Sequence, residues 1–313
     1  MKREIVVGSR QSRLAMWQAG WVVNRLKQSC PGFSYRIVGI RTKGDNILDT
    51  ALAKIGDKGL FTKELEMAIL RGEIDMAVHS MKDLPTELPD GLLIGAICER
   101  EFPGDVLISR DGRKLEELRP GALIGTSSLR RCAQLLNFRK DLKMVTLRGN
   151  INTRLRKLDE DQFDATVLAF AGVRRMGWGY RIAQVIPFDI CLPAVGQGSI
   201  GVEVRSDDKK ILELVTNIDH FESRAAISAE RAFMKSLEGG CQIPIGALGA
   251  VDNRRLRLEG VVASLNGERL VRASMTGDVA EAAETGIKLA DKMVGLGAGD
   301  ILRTIRQENN CNE

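Results

Sequence analysis

At 313 residues, with 44% apolar, 28% charged and 4% aromatic side chains, the chain suits two or three globular domains that each bury a core. Its net charge of +5 rests on 30 arginines against 16 lysines, and residues 122–158 hold nine basic side chains against one acid, Asp141; this points to an anionic partner, with a solvated basic face as the alternative. Six cysteines never closer than 34 residues argue against zinc and dithiol chemistry; with no membrane-length apolar run and no long apolar core in "MKREIVVGSR", a cytoplasmic protein with reduced thiols, no metal and no membrane partner is expected.

In chain order, "EIVVGSR" reads as a strand and "SRLAMWQAGWVVNRL" as a helix with Leu14, Trp17 and Trp21 at helical spacing. "YRIVGIR" is a second strand, "GLFTKELEMAILRGE" a helix with Phe61, Leu65, Ala68 and Ile69 on one face, and "DMAVHS" a third strand. Strand, helix, strand predicts a parallel sheet. The same grammar restarts at "GALIGTSSLRRCAQLLNF" and runs through "KMVTLRGNINTRLRKL" and "FDATVLAFAGVRRMG", which predicts a second α/β domain with crossings near 99–104 and 191–200. From Phe221 a helix ending on Gly239 and Gly240 leads into "IGALGAV", "RLRLEGVVAS" and "ERLVRASM", the last two joined through Asn266-Gly267, a hairpin signal. A final helix from Ala280 completes a small α+β domain with an antiparallel sheet.

Polar and basic residues recur where a strand gives way to a helix: Arg10 and Ser12; Ser80, Lys82 and Asp83; Thr126, Ser127, Ser128, Arg130 and Arg131; Arg148; Arg174 and Arg175. Ligands of open α/β sheets collect at these strand ends, and helix N-termini there favour anions. A single Ser or Thr in that place is usually only a cap; five such places on two domains describe a cleft with anion receptors on both walls, fit for a ligand with several carboxylates or phosphates. Asp83 stands among cations, either as an ion pair with Lys82 or a nearby arginine or as the partner of a cationic centre or ligand N–H. The segment 41–59 is a flap over the cleft or a solvated loop. Cys241, in "EGGCQIPIG", is by itself far more often a small hydrophobe than a functional thiol. The two histidines, His79 and His220, support no Ser-His-Asp triad, and no dinucleotide or triphosphate loop is present.

The motifs "GSRQSRLAMWQA", "KGLFTKELE", "DMAVHSMKDLP", "IGTSSLRR", "LRGNINTRL", "LAFAGVRR", "LPAVGQG", "AERAF" and "GGCQIPIG", in that order along nearly the whole chain, resemble the porphobilinogen deaminase (hydroxymethylbilane synthase) family. The resemblance implies two periplasmic-binding-protein-like α/β domains, 1–98 with 199–216 and 104–192, and an α+β cofactor-attachment domain, 221–306. It implies a dipyrromethane cofactor bound as a thioether to Cys241, onto which four porphobilinogen units are joined head to tail with loss of ammonia before water releases hydroxymethylbilane. Asp83 matches the catalytic aspartate. Ser80, Lys82, Asp83, Thr126, Ser128, Arg130 and Arg131 fall to the cofactor and its surroundings, and Arg10, Ser12, Arg148, Arg154 and Arg175 to the incoming or terminal ring, with Gln197 a substrate-binding residue near the hinge. The family expectation is also a monomer with porphobilinogen as its partner.

That chemistry matches the residue pattern. Each pyrrole carries an acetate and a propionate, which arginine forks suit, and a carboxylate near the pyrrole N–H groups stabilises the electron-poor methylene pyrrolenine left by ammonia. The chain departs from the family at Gly104, where an arginine is frequent, which leaves a domain-bridging contact from that position unsupported, and at Ser199, where alanine is common. The rival from another class is a non-catalytic small-anion binding or sensor protein, which needs neither a modified Cys241 nor Asp83. A nucleic-acid partner is disfavoured by arginines at strand ends and few stacking rings.

Overall fold

The computed structural model describes residues 4–46, 59–238 and 243–310. In chain order, β1 (Glu4–Arg10), α1 (Arg13–Ser29), β2 (Ser34–Ile40), α2 (Lys43–Asn46), α3 (Lys63–Leu70), β3 (Met76–Ser80) and β4 (Leu92–Ile97) come first. Next are β5 (Asp105–Ser109), β6 (Leu123–Gly125), α4 (Leu129–Phe138), β7 (Lys143–Val145), α5 (Ile151–Asp159), β8 (Ala165–Ala169), α6 (Phe170–Arg175) and β9 (Gln184–Val185). The remainder is β10 (Ile200–Arg205), α7 (Lys209–Thr216), α8 (Phe221–Ser236), β11 (Ile245–Asp252), β12 (Arg255–Ala263), β13 (Leu270–Asp278), α9 (Ala282–Met293) and α10 (Gly299–Asn310). The described residues fall into two compact units, 4–46 with 59–101 and 198–224, and 102–197 with 225–238 and 243–310.

The first unit is built on one sheet of order β2-β1-β3-β10-β4. β1 runs parallel to β2 and β3, while β10 lies antiparallel to β3 and β4. Central strands covered on both faces need apolar side chains on both, which is why β3 and β10 are buried along almost their whole length. The helix expected from Leu14, Trp17 and Trp21 at helical spacing is α1, with Trp21 packed partly against the core. α1 turns Gln18, Ala19, Val22, Val23 and Leu26 to the core, because small and β-branched side chains let it lie close on the sheet, whereas Trp17 is exposed and Trp21 carries the Arg25 guanidinium over its ring.

The second unit contains two sheets. One has the order β7-β6-β8-β5-β9, with β6 parallel to β7 and β8 and β5 antiparallel to β8 and β9. Position for position this repeats the first sheet, with β5 in the place of β10. In each sheet the fourth place is taken by the strand that directly follows a crossing of the chain from the other unit, entering antiparallel to the rest. The other sheet is the antiparallel β11-β12-β13, packed with α8, α9 and α10 around Phe233, Leu258, Leu289 and Met293. Two α/β sheets and a small α+β portion with an antiparallel sheet are the architecture expected from the sequence.

Two boundaries differ from the sequence reading. The last helix is two: Gly297 adopts φ +98 between α9 and α10, a left-handed conformation that only glycine takes cheaply and that breaks the helical ladder. The left-handed residue after α8 is Glu238, at φ +50, one residue ahead of the expected Gly239 and Gly240, which lie outside the described residues. The Asn266-Gly267 hairpin is present; Gly267, at φ +73, donates its N–H to the Ser264 carbonyl at 3.0 Å.

Candidate active site

In the first unit, β1 delivers Arg10 and Ser12 caps α1, its Oγ accepting from the Ala15 N–H at 3.3 Å. β3 ends at Ser80 and passes into a short 3-10 turn, Met81–Asp83. The Met81 N–H bonds the Ser199 carbonyl at 3.0 Å, so β10 fixes the root of the turn that presents Lys82 and Asp83. Buried Gln18 donates to Ser80 Oγ at 2.9 Å and ties α1 to the same strand end. Arg10, Ser12, Gln18, Phe61, His79, Ser80 and Asp83 all line one recess of about 50 Å³.

Asp83 is at its mouth, 36% exposed, with Arg10 Nη1 3.9 Å from its Oδ2. A pair that long and that wet contributes about 0–1 kcal/mol to stability, so the ion pair does not account for the aspartate's placement. The Arg10 guanidinium also lies over the Phe61 ring, 4.1 Å from its centroid, which steadies a cation beside the carboxylate. Four of these contributors, Gln18, His79, Phe61 and Ser199, were not singled out as site residues from sequence; a Gln and a His inside otherwise apolar runs are the signal that was there.

In the second unit, β6 leads to Thr126, Ser127 and Ser128 and then to α4. Ser127 Oγ donates to the Leu147 carbonyl at 2.8 Å, and Thr126 Oγ1 accepts from the Ser128 N–H at 3.2 Å. Ser128 occupies the N-cap position of α4, yet its side chain makes no capping bond, and the first turn of α4 has no acidic residue. A hydroxyl not spent on the cap, beside a helix N-terminus, suits an anion. The Arg154 Nε bonds the Gly149 carbonyl at 2.8 Å and so braces the loop that carries half-buried Arg148. Arg175, half-buried, ends α6.

Arg130 and Arg131 differ from the open forks expected of them, each being only 5% exposed. Both turn to Asp105, itself fully buried at the start of β5. Arg130 Nη1 donates to Asp105 Oδ2 and to the Leu192 carbonyl, each at 2.7 Å. Arg131 Nη2 donates to Asp105 Oδ1 at 2.7 Å and Nη1 to the Val167 carbonyl at 2.8 Å. Gln197 Nε2 adds bonds to Asp105 Oδ1 at 2.9 Å and the Pro103 carbonyl at 2.7 Å. Burial alone would push the Asp105 carboxyl up, but the charges and hydrogen bonds of Arg130 and Arg131 outweigh it and hold it well below the usual carboxylate range. Burial pushes the neighbouring Cys191 thiol up to about 12, so that sulfur stays protonated. Asp105 carried no role in the sequence reading; an acid opening the wholly buried strand "DVLIS" was the sign that a buried cation had to lie opposite.

Cys241 lies outside the described residues, as does most of the 41–59 segment. The backbone just after it is described: β11 sets Gly246 against Leu192 and Pro193, where a Cβ would stand 3.0 and 3.1 Å from their carbonyl oxygens, and the Ala247 N–H bonds the Pro193 carbonyl at 3.0 Å. Leu192 is also the residue whose carbonyl holds Arg130. Glu230 in α8, fully buried, accepts from the Gly196 and Gly249 N–H groups, both at 2.8 Å, and joins the "LPAVGQG" loop to β11.

The donor set suits dipyrromethane, a ligand of several carboxylates. Two buried guanidiniums share one carboxylate, leaving a positive charge over, with the Ser128 hydroxyl and the α4 N-terminus on the same turn.

Residues 5–213 match the family described as "Porphobilinogen deaminase, dipyromethane cofactor binding domain", and residues 225–295 match "Porphobilinogen deaminase, C-terminal domain". The chain is 71% identical over 308 residues to a porphobilinogen deaminase of Pelotomaculum thermopropionicum, covering 98% of this chain and 99% of that one. It is 57% identical over 306 residues to the one of Desulforamulus reducens, covering 98% and 99%. A solved structure of a probable amino-acid ABC transporter extracellular-binding protein, ytmK, from Bacillus subtilis is similar over 70% of this chain and 90% of that chain, at 11% identity and a TM-score of 0.44, too distant for its ligand to bear on this one. The chain belongs to the porphobilinogen deaminase family.

Proposed function

We propose that the chain carries out the family's transferase reaction, joining four porphobilinogen molecules head to tail onto a dipyrromethane primer held by Cys241 and releasing ammonia and hydroxymethylbilane for porphyrin and heme biosynthesis. When bound, the primer would supply the free pyrrole α-carbon to which the first unit is joined. Asp83 is the catalytic residue in this reading. Its carboxylate at the mouth of the recess stabilises positive charge on a pyrrole N–H and holds a proton between the departing amine and the ring carbon. Arg10 and Ser12, on the same recess, bind the carboxylates of the incoming ring. Arg148, Arg154 and Arg175 serve the incoming or terminal ring, while Gln197, buried with its amide bonded to Asp105 and the Pro103 carbonyl, braces the site. Ser80, Lys82, Thr126, Ser128, Arg130 and Arg131 hold the primer's carboxylates and orient it.

The observation that carries this reading is the placement of Asp83, a partly exposed carboxylate lining the same recess as Arg10 and 3.9 Å from it rather than in a tight ion pair. Asp83→Asn is expected to keep the covalent primer and its melting temperature, since the lost pair is worth about 0–1 kcal/mol. Its turnover is expected to fall by about 100-fold or more, the usual share of acid–base catalysis. Measured product formation near that of the parent would remove Asp83 from the role.

For the molecule at large, the division into 1–98 with 199–216, 104–192 and 221–306 is supported by the three separate sheets. A cytoplasmic place is supported by four described cysteines that are all free thiols. Among the described residues no helix is long and apolar enough to cross a membrane. The working state is a monomer, for which light scattering at assay concentration is the check.

A further inference from the structure

We propose that Asp105 is the positioning residue of the site: one buried carboxylate that aims Arg130 and Arg131 and sets their combined charge. The proposal rests on the reading of those arginines as primer partners. Asp105 is 0% exposed and the two arginines 5% each, so no water competes for the bonds between them. Asp105 Oδ1 takes both Nε and Nη2 of Arg131, at 3.2 and 2.7 Å, a two-point hold that fixes the plane of the guanidinium. Oδ2 takes Arg130 Nη1, whose other acceptor, the Leu192 carbonyl, sets the second direction.

The charge count gives the reason for a single acid. Two guanidiniums and one carboxylate sum to a single positive charge. Gln197 fills Asp105 Oδ1 without adding to it, and the adjacent Cys191 thiol, 3.4 Å from Arg130 Nη1, is neutral. A second acid here would leave nothing for a ligand carboxylate, and none at all would leave two buried cations repelling each other. Through Gln197 the same oxygen reaches the Pro103 carbonyl, and the Gly196 N–H is held by Glu230. The arginines are thereby registered to both segments of the second unit that adjoin the chain crossings.

The sign of the effect separates positioning from attraction. Asp105→Asn makes the site more positive, so a site working by long-range attraction would bind an anionic substrate as well or better. Loss of aim acts the other way. The test is steady-state turnover of porphobilinogen by the parent, Asp105→Asn and Asp105→Glu, with intact mass and melting temperature for each. In folded Asp105→Asn, kcat/KM is expected to fall at least about tenfold with KM raised, since small misplacements at a reacting site are costly. Asp105→Glu keeps the charge and is expected to fold, yet its longer reach displaces both guanidiniums and leaves kcat/KM at least about fivefold down. If Asp105→Asn does not fold, Asp105→Glu decides alone. Parent-like kcat/KM in either folded variant overturns the proposal. A parent protein without primer mass or ammonia release would instead overturn the functional reading, whatever the variants do.

Discussion

Asp83 and Glu66 are carboxylates of the same unit with opposite settings. Asp83 lies at the mouth of a recess, where water and Arg10 keep it available to a ligand. Glu66 is buried on the inner face of α3, 6% exposed, with no hydrogen-bond partner for its Oε1. Burial raises its pKa, and the buried Glu203 adds to the rise, while the nearby His79 works against it. A carboxyl that holds its proton more tightly folded than unfolded favours the native state below its unfolded value, near 4.5, and loses that advantage as pH rises through the folded one. Glu66→Gln removes the cost. The variant is expected to melt above the parent at pH 7 to 8, with the gain shrinking towards pH 4. A melting-temperature difference constant over that span, or of the other sign at pH 7, would contradict this.

At the scale of elements, β11 shows how backbone approach serves the site. A Cβ on Gly246 would stand 3.0 to 3.1 Å from the carbonyl oxygens of Leu192 and Pro193 and from the Val261 side chain, so a methyl group there pushes two backbone carbonyls outward. Gly246→Ala is expected to cost about 1–3 kcal/mol and to lower turnover, because Leu192 also holds Arg130. A calorimetric melt and a rate assay check both; an unchanged melt would mean that β11 yields freely. The elements most legible in the sequence were those with a full period and punctuation: β1 and β3, α4 after "GTSS", and the hairpin marked by Asn266-Gly267. Less legible was β5, five buried residues with no alternation to mark it. The buried face of α1, with Ala19 and Val22, carries no mark in the sequence beyond the helical spacing, because close packing on a sheet selects small and β-branched side chains.

Over the whole molecule, the residue pattern carried the strand ends at which the site residues collect, whereas the return of 199–216 to the first domain followed only from the family resemblance, because strand order depends on pairings between residues far apart in the chain. The two α/β sheets share one order, and each completes itself with a strand that follows a crossing. Arg10, Ser12, Ser80, Lys82 and Asp83 were legible as a group and lie together in the first unit. Arg130 and Arg131 were legible as residues but not as a buried pair, since their partner Asp105 is 25 positions upstream of Arg130. The reaction proposed for this frame stands on one covalent claim, a primer on Cys241. Intact mass spectrometry of the purified protein beside Cys241→Ser tests it most directly. The parent is expected to exceed its sequence mass by one dipyrromethane, and the variant to match its sequence mass and be inactive; an unmodified parent with full activity would contradict the proposed function.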